Sequence, residues 1–263
     1  MNSMMNAGRG VILILAVSAV FFSFAAATSV PGQTQNDEQA EMKLALDLAK
    51  LLQSARTVIS NHQNLINDPE VGDKGLTGER VLAETIEQYR KATGHDPRDF
   101  DPQSREGRLM RAELDAIGEV VDESQTLINE KGLGFKGFIP AVFGRLVTER
   151  LRDKVATELQ IKITAPPPLV RNRKARPDEW EQQIIETKFL SPDWTRGQVY
   201  SEAQKNGVQS VFRVMVPEYY AASCLTCHGG PKGEIDITGY PKEGASEGDL
   251  GGVISITLFR NNQ

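Results

Sequence analysis

Two stretches of this sequence repeat each other. Val58–Gly75 reads VISNHQNLINDPEVGDKG and Val120–Gly137 reads VVDESQTLINEKGLGFKG, so eight of eighteen positions are identical at an offset of 62. Repetition of a segment at a fixed spacing is typical of a structural unit used more than once. We therefore predict a helix, a G-x-K-G loop and a following helix, present twice. Two helix ends that converged on similar stop residues would give the same pattern, and the sequence leaves this alternative open.

The residues around each copy have helical periodicity. Apolar positions recur at alternating steps of four and three, which places them on one face of a helix. The predicted helices span 37–67, 79–92, 107–130 and 140–156, with a proline at the start of the fourth, where proline suits a first turn. The first stripe comprises Leu44, Leu48, Leu51, Ala55, Val58, His62 and Leu65, and the third comprises Met110, Leu114, Ile117, Val121 and Ile128.

The pattern changes after Glu158, where apolar and polar residues alternate. Alternation with period two is typical of a strand with one buried face. The predicted strands are the run at 159–163, Gln198–Ser201, Val208–Val216 and Val253–Phe259, with Ile254, Ile256 and Leu258 toward the core. Helices followed by a mostly antiparallel sheet define an α+β fold.

Composition and the N-terminus indicate an exported protein that does not bind nucleic acid. The chain has 263 residues, a net charge of −5 and a pI near 5.4, without the basic footprint of a nucleic-acid binder. Residues 1–27 have one Arg, an apolar run and Ala25-Ala26-Ala27, the pattern of a cleaved signal peptide. An uncleaved anchor is the alternative. Residues 28–36 are a predicted disordered lead-in, residues 37–263 form the functional domain, and the expected location is a bacterial periplasm.

The motif with the clearest chemistry is Cys224-Leu225-Thr226-Cys227-His228, which contains both cysteines of the chain. C-x-x-C-H is the attachment sequence of c-type haem: two thiols on one turn bond to the two vinyl groups, and the histidine binds the iron from the same side. We therefore predict one covalent haem c. A redox-active dithiol is an alternative. A zinc site is a weaker one, because only three ligand residues are local.

The sequence offers several candidates for the second axial ligand of the iron. No methionine follows His228, so the candidates are His62, His95, Met42, Met110 and Met215. His62 is the predicted distal ligand, because an imidazole on an apolar stripe needs a partner. His95 is interpreted as a solvated loop residue, and Met110 and Met215 as core residues. An open sixth position is the alternative and would indicate gas binding.

Other residues are candidates for the surroundings of the haem. Aromatic side chains could form its walls or belong to the ordinary core; these are Phe212, Trp180, Tyr219 and Tyr220. The basic cluster Arg171, Arg173 and Arg176 could pair with the haem propionates, although a solvated loop is the commoner explanation for such a cluster.

Four segments together resemble a known family. They are FKGFIPAVFGRLVTERL (135–151), TAPPPLVRNRKARPDEWE (164–181), FRVMVPEYYAASCLTCHG (212–229) and DITGYPKEGASEGDLGGVISITL (236–258). The chain resembles the periplasmic c-type-haem family with a PAS-like fold, which includes a stand-alone cyanobacterial cytochrome and the haem-bearing input domains of some histidine kinases. The resemblance implies a PAS-like sheet with haem on Cys224 and Cys227, and His228 as proximal ligand. In the cyanobacterial member the distal ligand is a cysteine on the N-terminal helix, and this chain has no third cysteine.

The sequence as a whole thus predicts an exported single-haem c-type cytochrome, with N-terminal helices on a PAS-like sheet. It transfers one electron or senses redox state, is not an enzyme, and works with a separate redox partner or membrane sensor protein. A haem-based gas sensor with an open or displaceable sixth site is the main alternative. A haem-free thiol-disulfide oxidoreductase is the third.

Overall fold

The computed structural model describes residues 31–155, 157–206 and 209–260, with helices in the first half and a sheet in the second. The helices are α1 (Pro31–Asn61), α2 (Gln63–Ile66), α3 (Gly78–Thr93), α4 (Arg105–Glu123), α5 (Gln125–Ile128), α6 (Pro140–Val155), α7 (Glu179–Ile184) and α8 (Leu225–His228). The predicted signal peptide 1–27 and residues 28–30 of the predicted lead-in lie outside the described residues. None of the described helices is long and apolar enough to cross a membrane.

The helical half is built from two copies of one unit. Each copy is a long helix, a one-turn helix, a loop and a 16-residue helix, in the order α1–α2–α3 and then α4–α5–α6. Corresponding boundaries of the two copies are 62 residues apart. This holds for the C-terminal ends of α1 and α4, and for both ends of α2 and α5 and of α3 and α6. The repeat predicted from the sequence is therefore confirmed as a structural one.

Equivalent residues of the two copies make reciprocal contacts. The backbone N–H of Lys74 donates to Asn129 Oδ1 (3.0 Å), and the backbone N–H of Lys136 donates to Asn67 Oδ1 (3.1 Å). Because 67 and 129, and 74 and 136, are 62 apart, each loop is held by the asparagine of the other copy. Such exchange of equivalent partners is what a two-fold relation between the copies produces.

A second pair of bonds obeys the same relation. Gln63 Nε2 donates to the backbone oxygen of Phe138 (3.0 Å), and Gln125 Nε2 donates to that of Leu76 (2.8 Å). These amides satisfy loop carbonyls where Leu76 and Phe138 are buried. Two helix ends that had only converged on similar residues would not each bond the loop of the other copy through equivalent residues. The alternative explanation of the repeat is therefore excluded.

The predicted apolar stripes form the core of the helical half. The stripe residues of α1 from Leu44 to Val58 are at most 2% exposed, and those predicted for α4 and α5 are at most 5% exposed. Both long predicted helices are interrupted, one at His62 and the other at Ser124. α1 also begins at Pro31, so residues 31–36 of the predicted lead-in are helical. An apolar stripe reveals only the part of a helix that packs, and residues 35–41 are mostly exposed.

The second half contains a four-stranded antiparallel sheet in the order β1-β4-β3-β2. Its strands are β1 (Leu159–Thr164), β2 (Tyr200–Asn206), β3 (Gln209–Tyr219) and β4 (Leu250–Arg260). The α+β fold class is confirmed. Ile254, Ile256 and Leu258 are fully buried against the helices, as predicted from their alternation.

The opposite face of the sheet is covered by a segment that sequence analysis missed. α7 and the π-helix Ile185–Phe189 pack there on Met215 and Val253. α7 begins with a capping box, in which Asp178 and Glu181 each accept from the other's backbone N–H. An Asp followed three residues later by Glu is a recognisable helix start, so the signal was present in the sequence.

Candidate functional site

The C-x-x-C-H motif occupies one tight turn that follows the end of β3. A 3₁₀ turn at Ala222–Cys224 leads directly into α8, which consists of Leu225–His228. Residues three apart on a helical turn lie on the same side. Cys224 and Cys227 are therefore neighbours on the turn, and both are free thiols with partial exposure. His228 follows at once, so the predicted attachment residues come from one rigid turn.

The residue after the motif must be small. Gly229 closes the turn by donating its backbone N–H to the carbonyl of Leu225 (2.8 Å). A Cβ on Gly229 would lie 2.6 Å from that same oxygen, closer than real Cβ contacts. Glycine is thus required for the turn to close directly behind His228.

His228 is oriented by a carboxylate. Its Nδ1 lies 2.9 Å from Glu243 Oε2. A carboxylate accepts only, so Nδ1 is the donor, and in the neutral imidazole this leaves Nε2 with the lone pair that could bind a metal. Although burial raises it, hydrogen bonds from Arg171 and His228 hold the pKa of Glu243 below its ordinary value. Glu243 is therefore ionised at neutral pH beside the imidazole.

Arg171 connects the parts of the site. Its guanidinium donates to Glu243 Oε1 (2.9 Å), to Asp236 Oδ2 (2.6 Å) and to the backbone oxygen of Cys227 (3.0 Å). Burial raises the pKa of Asp236, but the Thr238 and Arg171 hydrogen bonds outweigh it and hold that pKa far below its ordinary range. One cation thus ties the loop after the motif to the motif itself.

This arrangement changes the predicted role of the basic cluster. Arg171 is bonded to the protein's own carboxylates, so it is not the solvated loop residue that the cluster indicated, and its pairing with haem propionates stays a prediction. Arg173 and Arg176 are exposed, as the solvated-loop interpretation expected. Sequence analysis missed Glu243 and Asp236, although both lie inside the segment 236–258 that carried the family resemblance.

Tyr220 packs on the imidazole from the strand side. Its ring stacks on that of His228 with centroids 4.8 Å apart and planes at 24°. A Cβ on Gly251 would lie 2.5 Å from the Tyr220 ring, so the glycine in β4 makes room for this stack. Burial and the Glu243 charge raise the pKa of Tyr220 to about 12, so the phenol stays protonated.

The other aromatic candidates have partners outside the motif. Phe212 packs between the sheet and the helices, whereas Trp180 covers the opposite face beneath Arg213. Tyr219 accepts a hydrogen bond from the backbone N–H of Gly197 (3.0 Å).

Cys227 lies in surroundings that favour its thiol form. Burial and the nearby Asp236 charge raise the pKa of Cys227. A raised thiol pKa leaves less thiolate, the form that exchanges disulfides. Cys227 is therefore a weak nucleophile in this site, and the redox-dithiol alternative stays open.

His62 has a partner other than a metal. It lies between α1 and α2, is 17% exposed in its side chain, and its Nε2 is 2.6 Å from Glu84 Oε2. Burial raises the pKa of Glu84, but bonds to His62 and Arg80 lower it overall. The partner that this buried imidazole needs is therefore supplied by Glu84, and its role as distal ligand stays a prediction.

The other candidate iron ligands, His95 and three methionines, bond or pack against groups of the protein. His95 is half-exposed and its Nε2 lies 3.1 Å from the Tyr89 hydroxyl. Met110 and Met215 are fully buried in the core, as predicted, and Met42 packs at its edge. Among residues 31–155, 157–206 and 209–260, no cluster of three or more His, Cys, Asp or Glu side chains could hold a metal ion.

The fold and site define a class of protein: an α+β protein with a duplicated helical unit, an antiparallel sheet, and a C-x-x-C-H turn supported by an Arg–carboxylate network. The chain matches the Tll0287-like family over residues 34–258 and belongs to that family. Searches of functionally curated proteins and of solved structures gave no significant match.

Proposed function

We propose that this protein is an exported c-type cytochrome with one haem, which transfers single electrons or reports redox state. The observation that carries the proposal is the single turn that presents two free thiols and an imidazole whose Nδ1 is bonded to Glu243. Family membership supports a haem-binding protein. We also propose a PAS-like sheet, supported by the antiparallel order in which the first strand lies beside the last.

The donor groups fit a covalently attached haem better than a protein-only metal site. A structural zinc ion needs about four ligands, and the described residues provide no cluster of three. Haem supplies four ligands of its own and needs from the protein only two thiols and an axial base. Cys224, Cys227 and His228 match that requirement in number and type.

Each side chain has a definite task in this proposal. Cys224 and Cys227 hold the group through thioether bonds, which keeps it attached outside the cytoplasm. His228 offers Nε2 as the proximal ligand. Tyr220 covers one face of the imidazole, and the raised pKa of its phenol keeps it from adding a charge there. When bound, haem supplies a reversible one-electron couple.

The distal side and the partner belong to the proposal as well. His62 is the proposed distal ligand, and Glu84, bonded to its Nε2, would orient the imidazole so that Nδ1 is the nitrogen available to a metal. The 1–27 segment supports export to a periplasm, and a separate redox protein or membrane sensor is the expected partner.

A visible spectrum tests the proposal directly. The protein is produced in a periplasm with haem-c maturation and measured oxidised and dithionite-reduced, beside a control cytochrome from the same strain. A red product whose haem resists acid-acetone extraction supports it, and low spin in both states favours electron transfer. A colourless product beside a matured control refutes the haem proposal, whereas a high-spin ferrous form that binds CO favours the gas sensor.

A further inference from the structure

Glu243 and Arg171 form a support for His228 that neither the motif nor the family match assigns. Glu243 is half-buried, with 17% of its side chain exposed, and Arg171 is similar at 20%. Arg171 bonds both carboxylate oxygens, through Nε to Oε1 (2.9 Å) and Nη2 to Oε2 (3.0 Å). Two parallel bonds from a guanidinium fix the plane of a carboxylate. Oε2 is the same oxygen that accepts from His228, so the orientation is passed to the imidazole.

We propose that Glu243 is a positioning residue for His228, held in place by Arg171, and that it lowers the reduction potential of the bound haem. The inference rests on the proposed function. A histidine that donates a hydrogen bond from its second ring N–H to a carboxylate has a fixed tautomer and becomes a stronger electron donor through the other nitrogen. A stronger donor and a nearby negative charge both stabilise the ferric state more than the ferrous state.

The backbone around Glu243 makes this geometry rigid. Ala245 donates its N–H to the carbonyl of His228 (2.8 Å), and Gly244 donates to that of Gly229 (3.1 Å). The segment directly after Glu243 is thus bonded to the end of the motif. Arg171 also bonds the carbonyl of Cys227. Glu243 therefore cannot move away from His228 without breaking several bonds.

The charge balance at His228 also favours a lowered potential. The groups that face the imidazole network are Arg171 with one positive charge, and Asp236 and Glu243 with one negative charge each. The sum is one negative charge. Replacing Glu243 by Gln would leave the network neutral and exchange the carboxylate acceptor of Nδ1 for an amide, which is a weaker acceptor and can also present its NH2 group.

The test compares Glu243→Gln with Glu247→Gln, each in the full chain with attached haem. Both changes remove one carboxylate from the same loop, but Glu247 is exposed and has no side-chain hydrogen bond among the described residues. Redox titration followed by the visible spectrum should show a positive shift of the midpoint potential for Glu243→Gln and a much smaller one for Glu247→Gln. Glu243→Asp should shift the midpoint potential less than Glu243→Gln does, because it keeps the carboxylate charge.

A second measurement uses protein without haem. The chain has three histidines, so the imidazole ¹⁵N resonances of His228 can be assigned. The expected result is a protonated Nδ1 in the wild type, which is lost or mixed in Glu243→Gln. Equal potentials for the two Gln variants, or an Nε2-protonated wild-type His228, overturn the inference. A wild-type protein that attaches no haem refutes the proposed function separately, and the ¹⁵N result then decides the positioning role alone.

Discussion

Glu113 is a side chain whose replacement should stabilise the protein. It lies in α4, is 0% exposed, and within the described residues neither carboxylate oxygen has a hydrogen-bond partner. Burial raises its pKa well above the ordinary value, so the folded protein holds it protonated over a wider pH range than the unfolded chain does. Glu113→Met keeps a similar length and helix propensity but has no polar group to satisfy.

The size of the effect follows from two contributions. An unsatisfied buried polar group costs about 1–3 kcal/mol, so Glu113→Met should raise the free energy of unfolding by about 2 kcal/mol even at pH 4. A carboxyl group whose pKa is raised in the folded protein makes its full contribution to stability below its pKa in the unfolded chain, near 4.3. That contribution is lost as the pH rises toward the pKa in the folded protein. Between these two pKa values the free energy of unfolding of the wild type falls by about 1.4 kcal/mol per pH unit relative to that of the variant.

Urea denaturation at several pH values between 4 and 7 measures both contributions. Glu113→Gln is the matched variant, because it keeps an unpartnered polar group but cannot ionise. It should equal the wild type near pH 4 and exceed it only as pH rises. Asp115→Asn, at an exposed position of the same helix, controls for the loss of one charge. The reasoning would be refuted if Glu113→Met had a lower free energy of unfolding than the wild type, or if the difference between the two did not change with pH.

Three further expectations concern the repeat and the site. Asn67→Ala and Asn129→Ala should each lower the free energy of unfolding by about 1–2 kcal/mol in urea titrations, and losses that differ several-fold would contradict their equivalence. Gly251→Ala should cost about 1–3 kcal/mol and perturb the haem spectrum, because its Cβ would enter the ring stacked on the imidazole, whereas Gly252→Ala, with 3.3 Å to its nearest neighbour, should be milder. His62→Ala should abolish a low-spin ferric spectrum, and an unchanged low-spin spectrum would show that another group is the distal ligand.

The sequence predicted the features that depend on local order. The spacing of Leu44, Leu48 and Leu51 specifies a buried helical face, and all three are buried. The alternation of Ile254, Ile256 and Leu258 specifies one face of a strand, and these three are buried as well. The internal repeat was visible because equivalent positions in two copies face equivalent surroundings. Periodicity of this kind is set by the geometry of the chain over a few residues, and it can be read directly.

Contacts between distant segments could not be predicted in the same way. Arg171 and Glu243 are 72 residues apart, and their pairing removes Arg171 from the solvated loop to which the sequence assigned it. His62 was predicted to need a partner, and α3 supplies one by bringing Glu84 against it. Both pairings come from the approach of a second element, which no local pattern encodes.

The sequence by itself thus determined the α+β order and the position of the C-x-x-C-H motif, and it indicated the repeat that the reciprocal contacts established. Only the tertiary structure decided which carboxylate orients His228, which loop each asparagine holds, and which acid is buried without a partner. The physical reason is that hydrogen bonds and ion pairs act over about 3 Å. Their formation depends on how helices and loops far apart in the chain are packed together. Helical and strand periodicity depends only on residues within a few positions of one another along the chain.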